Sequence, residues 1–79
     1  MIAITLYSRP GCHLCEDMKA VVARAIAGRS DVRVTEVDIS TNHALEARYG
    51  TEIPVLLVDG RKVAKYRIDE RALARILAT

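Results

Sequence analysis

A chain of 79 residues has room for one small domain, and a domain of that size buries only about 60% of the surface its unfolded form exposes. The chain is 51% hydrophobic and 28% charged with 4% aromatic residues, which excludes a disordered chain and indicates a globular protein with an aliphatic core. Net charge is +2, with Lys and Arg interspersed among Asp and Glu, so no basic stripe marks a nucleic-acid partner.

Ile2 to Tyr7 is β-branched and apolar and is bounded by Ser8-Arg9-Pro10-Gly11, which predicts a first, buried strand. That apolar start has no basic region ahead of it and is too short for a signal peptide or a membrane span, so a soluble, cytoplasmic protein with no membrane partner is expected. From Cys12 to Ala27 the residues Leu14, Met18, Val21, Val22, Ala25 and Ile26 recur at helical spacing, with Gly28 as the stop. Val32 to Ile39 reads as a second strand, interrupted by Arg33, Thr35 and Glu36 and hence placed at a sheet edge. Ser40 or Thr41 is the expected cap of a short second helix running to Tyr49, ended by Gly50.

After Pro54, Val55-Leu56-Leu57-Val58 predicts a third strand, Asp59-Gly60 a tight hairpin, and Val63 to Tyr66 an antiparallel fourth strand. Asp69 then caps a last helix with Leu73, Ile76 and Leu77 as its apolar stripe. The order β-α-β-α-β-β-α has no linker or repeat, so residues 1–79 are expected to form one α/β domain. The first two strands require a helical crossover, which makes them parallel and the crossover right-handed.

Both cysteines of the chain, Cys12 and Cys15, open the first predicted helix. On a helical wheel Cys15 lies within about 60° of Met18, Val22 and Ile26, inside the apolar stripe, and is expected to be buried. Cys12 belongs to the first turn beside the Ser8 to Gly11 loop, where it meets solvent, and His13 points away from the core. This asymmetry suits dithiol exchange: an exposed thiolate attacks a disulfide and a protected thiol resolves the mixed disulfide. The unpaired amides and macrodipole at a helix N-terminus favour an anion, and Arg9 adds positive potential, so the Cys12 thiol is expected to ionise more readily than a free cysteine. The same effect makes Cys12 a better leaving group when a thiol attacks its partner sulfur in a mixed disulfide.

Other readings of the pair stay open at this point. A disulfide staple closing about four residues would stabilise by less than about 2 kcal/mol, and a reducing compartment disfavours a permanent one. Cys-x-x-Cys supplies half of a zinc shell, with His13, His43 and scattered carboxylates as the other ligands available. His13 points outward and His43 lies in another helix, so no metal and no cofactor is expected within one chain. A binding module that holds a metal or an iron-sulfur centre between two chains, or docks a partner without turnover, remains the alternative to an enzyme.

Leu6-Tyr7-Ser8-Arg9-Pro10-Gly11-Cys12-His13-Leu14-Cys15, Glu52-Ile53-Pro54-Val55-Leu56 and Asp59-Gly60 together resemble the thioredoxin superfamily and, within it, the glutaredoxins, most closely the short glutaredoxin-like proteins with Leu before the second cysteine. The resemblance implies a four-stranded mixed sheet in the order 2-1-3-4, with helices one and three on one face and helix two on the other. It implies Cys12 as nucleophile, Cys15 as resolving thiol, and a cis Ile53-Pro54 bond facing them. The Ile53 backbone would then offer ladder hydrogen bonds to an extended substrate, while Pro54 presents no N–H.

Glutathione-using relatives carry a Gly-Gly turn before the Asp that opens the last helix; here Lys65-Tyr66-Arg67-Ile68 precedes Asp69, so only the Asp corresponds, while Arg9 stands where such enzymes often have Lys. Tyr66-Arg67-Ile68-Asp69 is similar instead to the Phe-Arg-Pro-Asp segment of redoxins that serve ribonucleotide reductase and are recharged by thioredoxin reductase. The candidate site is thus Cys12 and Cys15 for catalysis, and Arg9, Ile53, Pro54, Arg67 and Asp69 for substrate. The expected partners are a protein or small-molecule disulfide, and glutathione or thioredoxin reductase as electron donor, acting on a monomer.

Overall fold

Two apolar clusters, one on each face of a single sheet, organise the chain. The computed structural model describes residues 1–78. Its elements are β1 (Ile2–Ser8), α1 (His13–Ala25), β2 (Val32–Asp38), a 3-10 turn (Ile39–Thr41), α2 (His43–Tyr49), β3 (Val55–Val58), β4 (Arg61–Lys65) and α3 (Glu70–Leu77). The sheet has the expected order β2-β1-β3-β4. β1 runs parallel to β2, with Ile2 opposite Val32 and Ser8 opposite Asp38, and antiparallel to β3, with Tyr7 opposite Val55.

Alternation along β1 sends Ile4 and Leu6 to the face covered by α1 and α3, where they join Met18, Val22, Leu56, Leu73 and Leu77. Burying each such side chain contributes about 1.5–3 kcal/mol, so this cluster is the main support of the sheet. On the other face Ile39, Tyr49 and Val55 gather Tyr7, Leu45, Ile53 and Leu57 beneath α2. The Tyr7 and Tyr49 rings stack there with centroids 4.6 Å apart. The one apolar residue of the α3 stripe that departs from expectation is Ile76, which is 38% exposed rather than in the core.

Several boundaries differ from the sequence expectation for local reasons. Asp38 ends β2 because its carboxylate accepts the Ser40 N–H at 2.9 Å, which turns the backbone into the 3-10 segment. The cap of α2 is then Asn42, whose Oδ1 accepts the Leu45 N–H at 3.1 Å, and neither Ser40 nor Thr41 fills that role. α1 ends at Ala25, short of Ala27, and Cys12 is its cap rather than its first residue.

β4 starts at Arg61 and stops at Lys65. Its start follows from the hairpin: Asp59 and Gly60 both have positive φ, 51° and 83°, the two-residue turn that matches strand twist and lets Val58 pair at once with Arg61. Its stop is set by Tyr66, which leaves the strand at φ 67°. Between Leu56 and Leu57 the register shifts, so that Ala64 opposes Leu56, Lys62 opposes Leu57 and Val63 is the extra residue. This bulge lets adjacent Val63 and Ala64 both pack on the first cluster, which strict alternation forbids.

Candidate redox site

The sheet topology brings four chain segments to one end. β1 leads into α1 there, β3 begins beside the end of β1, and β4 ends beside the start of β3. Because Tyr7 opposes Val55, the antiparallel register sets Pro54 alongside Ser8, at the head of the loop that carries Cys12.

In that loop Ser8 is 5% exposed and its hydroxyl donates to the Glu36 carboxylate at 3.1 Å. Gly11 turns the chain at φ 80°, a conformation other residues adopt only at a cost, and Cys12 follows in an extended conformation. The Cys12 Sγ accepts the Cys15 N–H at 3.1 Å, so sulfur occupies the place an oxygen takes in an ordinary helix cap. A thiolate there would receive a charge-assisted hydrogen bond within the positive end of the α1 dipole.

Cys15 is 1% exposed and, with Met18 and Val22, is one of the buried residues of α1, whereas Cys12 is half-buried and His13 is exposed. The two cysteines are joined as a disulfide, with Cα atoms 5.2 Å apart.

The other residues singled out from the sequence lie around this end with distinct local roles. Arg9 forms an ion pair with Glu46 of α2, each side chain about two-fifths exposed (38% and 42%). Gly50 follows α2 where a Cβ would lie 2.5 Å from the Glu46 carbonyl oxygen of the backbone, though at an ordinary contact distance, 3.5 Å, from the Arg9 guanidinium. Glu46 carries no signal in the sequence, since its partner is 37 positions away. Lys19 sits between Glu16 and Glu36 at 3.4 and 3.5 Å. The hydrogen bond to Glu16, followed by attraction to Glu36, raises its pKa above the ordinary lysine value. Ser8, Arg9, Pro10, Glu16, Lys19, Glu36 and Asp38 together line a polar recess of about 310 Å³.

The Ile53-Pro54 bond is cis, as the resemblance implies. Pro54 is fully buried and its carbonyl accepts the Tyr66 N–H at 2.9 Å. Ile53 packs against the α2-side cluster, and neither its N–H nor its carbonyl makes a hydrogen bond among the described residues. Asp69 caps α3, accepting the Ala72 N–H at 2.7 Å, and Arg67 is exposed, without an ion pair among the described residues.

Arg67 and Asp69 share with Leu14 the wall of a groove of about 840 Å³ between α1 and the β4–α3 segment. Leu14, which lies between the two cysteines in sequence, lines the groove, and neither cysteine does. Ile76 owes its exposure to this groove, whose wall it forms. Among the described residues no three His, Cys, Asp or Glu side chains converge as a metal site, and no helix is long and apolar enough to cross a membrane.

Comparison with known proteins agrees with this architecture. A glutaredoxin-like protein of Dictyostelium discoideum, the YDR286C homolog, is 29% identical over 83 residues, which covers 99% of this chain and 77% of that protein. The X-ray structure of target protein XcR50 from X. campestris superposes with a TM-score of 0.79 at 36% identity, covering 94% of this chain and 93% of the other. A mutant thioredoxin from Halobacterium salinarum gives a TM-score of 0.67 at 28% identity over 95% of this chain and 70% of its own. The fold is thioredoxin-like, and it fits a redox role for the cysteine pair. Residues 3–78 match the family model of the glutaredoxin-like domain (DUF836), and the chain therefore belongs to the glutaredoxin-like family of the thioredoxin superfamily.

Proposed function

We propose that this protein is a thiol-disulfide oxidoreductase in which Cys12 attacks and Cys15 resolves. The observation that carries the reading is the unlike setting of the two sulfurs. Cys12 is half-buried at the helix start and its Sγ receives the Cys15 N–H, while Cys15 is closed off in the core.

In the reducing direction the Cys12 thiolate bonds to one sulfur of a substrate disulfide, and the other substrate sulfur leaves as a thiolate that takes a proton from water. Cys15, deprotonated, then attacks Cys12 Sγ. The mixed disulfide breaks, the second substrate thiol departs, and the Cys12–Cys15 disulfide holds the two-electron loss. A dithiol or thiol donor reverses these steps to restore the reduced pair. The helix-start hydrogen bond favours sulfur as an anion, which serves Cys12 both as nucleophile and as leaving group.

An extended polypeptide is the substrate that the surrounding backbone suits. Ile53 has both a free N–H and a free carbonyl at the end of the sheet where Cys12 lies, the arrangement that strand addition uses. In this reading Pro54 shapes that surface, Arg67 and Asp69 border it across the groove, and Arg9 lends charge to the Cys12 loop. Electrons come from glutathione or from thioredoxin reductase, and the protein acts as a monomer in the cytoplasm.

The decisive measurement pairs two variants in a disulfide-reduction assay. Cys12→Ser is expected to lose all turnover. Cys15→Ser is expected to accumulate a mixed disulfide, seen as a mass increase equal to the captured half of the substrate. Full turnover by Cys12→Ser would overturn the mechanism. Running the wild type with glutathione and its reductase, and separately with thioredoxin reductase, identifies the donor.

A further inference from the structure

Tyr66 holds a backbone conformation that a bulky side chain rarely adopts, with φ 67°. Outliers of this kind persist where the surroundings over-determine them, and they concentrate at functional segments. Its surroundings are specific. The Tyr66 N–H donates to the Pro54 carbonyl at 2.9 Å, and its hydroxyl donates to the Thr51 carbonyl at 2.8 Å. The Lys65 ammonium lies 5.6 Å from the ring centroid, a cation over the aromatic face. One further bond fixes the same segment from the α2 side, where the Glu52 N–H donates to the Tyr49 carbonyl at 2.8 Å.

These ties leave a pattern along the segment from Thr51 to Pro54. The carbonyls of Thr51 and Pro54 and the N–H of Glu52 are engaged, and the N–H and carbonyl of Ile53 between them make no hydrogen bond among the described residues. Tyr66 therefore grips the segment on both sides of Ile53, the one residue of the four with no main-chain hydrogen bond among the described residues. It also lies where β4 ends, lining the same groove as Leu14, the residue between the two cysteines in sequence.

We infer that Tyr66 is a positioning residue for polypeptide substrates. Its hydroxyl and amide hold the Thr51–Pro54 segment so that the Ile53 main chain meets an extended chain flanking the attacked disulfide. A small disulfide, which has no such chain, does not use this register and should be indifferent to Tyr66. The inference rests on the proposed oxidoreductase reading and narrows its substrate class to disulfides carried by polypeptide.

The test uses pre-reduced protein in single-turnover reactions with two oxidants, insulin as a polypeptide disulfide and dithiobis(nitrobenzoate) as a small one. Tyr66→Phe removes the hydroxyl and keeps the ring. Loss of one neutral hydrogen bond is expected to raise the half-saturation concentration for insulin roughly fivefold, with the limiting rate for insulin and both constants for the small disulfide unchanged. Tyr66→Gly suits the observed φ and is expected to show the same selective loss, at least as large, with no fall in melting temperature greater than that of Tyr66→Phe. A merely structural Tyr66 would lower the melting temperature without splitting the two substrates. If both variants handle insulin as the wild type does, or shift both substrates equally, the assignment of Tyr66 is wrong while the oxidoreductase reading stands. A wild type that reduces neither disulfide removes both.

Discussion

Cys12 Sγ stands in for the oxygen of a helix cap, and that substitution has a chemical consequence. A serine there would satisfy the Cys15 N–H equally well, so the cap by itself does not require sulfur. What the position gives sulfur is an N–H donor that strengthens when the thiol ionises. Arg9, beside the same loop, shares its charge with Glu46. The pair is half-exposed and worth little to stability, about 0–1 kcal/mol, but it keeps the guanidinium against α2. Gly50 is required by the backbone of α2 rather than by this pair. Gly50→Ala brings a Cβ to 2.5 Å from the Glu46 carbonyl oxygen, and the expected cost is about 1–3 kcal/mol, read as a lower urea midpoint.

Elements here are delimited by short polar side chains rather than by intrinsic propensity. Asp38, Asn42 and Asp69 each accept an amide at a helix start, at 2.9, 3.1 and 2.7 Å. Asp69 is the instructive case, since it is both the α3 cap and a residue on the groove wall. Asp69→Ala should cost about 1 kcal/mol in chemical denaturation, and Asp69→Asn should recover most of it because an amide oxygen caps as well. Comparing turnover in the same two variants separates the functions. If Asp69→Asn is as stable as the wild type yet slower with a disulfide substrate, the charge serves the site; equal activity assigns Asp69 to capping alone.

The molecule as a whole carries most of its resolved charge pairing on the surface, which sets its response to acid. Asp31, Asp38 and Glu52 are all held below the ordinary carboxylate range, chiefly by hydrogen bonds from Arg29, the Ser40 hydroxyl and Lys62 respectively. A carboxyl whose pKa is depressed in the folded state contributes stability above its unfolded pKa and loses it as pH falls through the folded value. Melting temperature should therefore be flat near neutrality and decline below about pH 4, the ordinary carboxylate pKa. Lys19 acts with the opposite sign. Its raised pKa contributes below the ordinary lysine value and is lost as pH rises through the raised one, at the alkaline end. A melting temperature that stayed level down to pH 2 would show that these hydrogen-bonded carboxylates contribute nothing to folding.

How much of this was legible beforehand depends on how the information is stored along the chain. Element order and the unlike burial of Cys12 and Cys15 follow from periodicity and from the Asp59-Gly60, Asp69 and Gly11 signals, while the sheet order is what the family resemblance implies. Those features repeat over many neighbouring residues, and each buried side chain adds kilocalories in the same direction. The Val63 bulge, the reach of Arg9 to Glu46 and the hold of Tyr66 on Thr51 were decided only when distant segments met. Each is a contact between two groups worth about 1 kcal/mol or less, and such a contact imposes no pattern on the residues around it. The sequence by itself thus determined where the two sulfurs lie and which is buried. Tertiary structure alone decided what surrounds them, because the loop before Cys12, the segment before β3 and the end of β4 become neighbours only through the sheet.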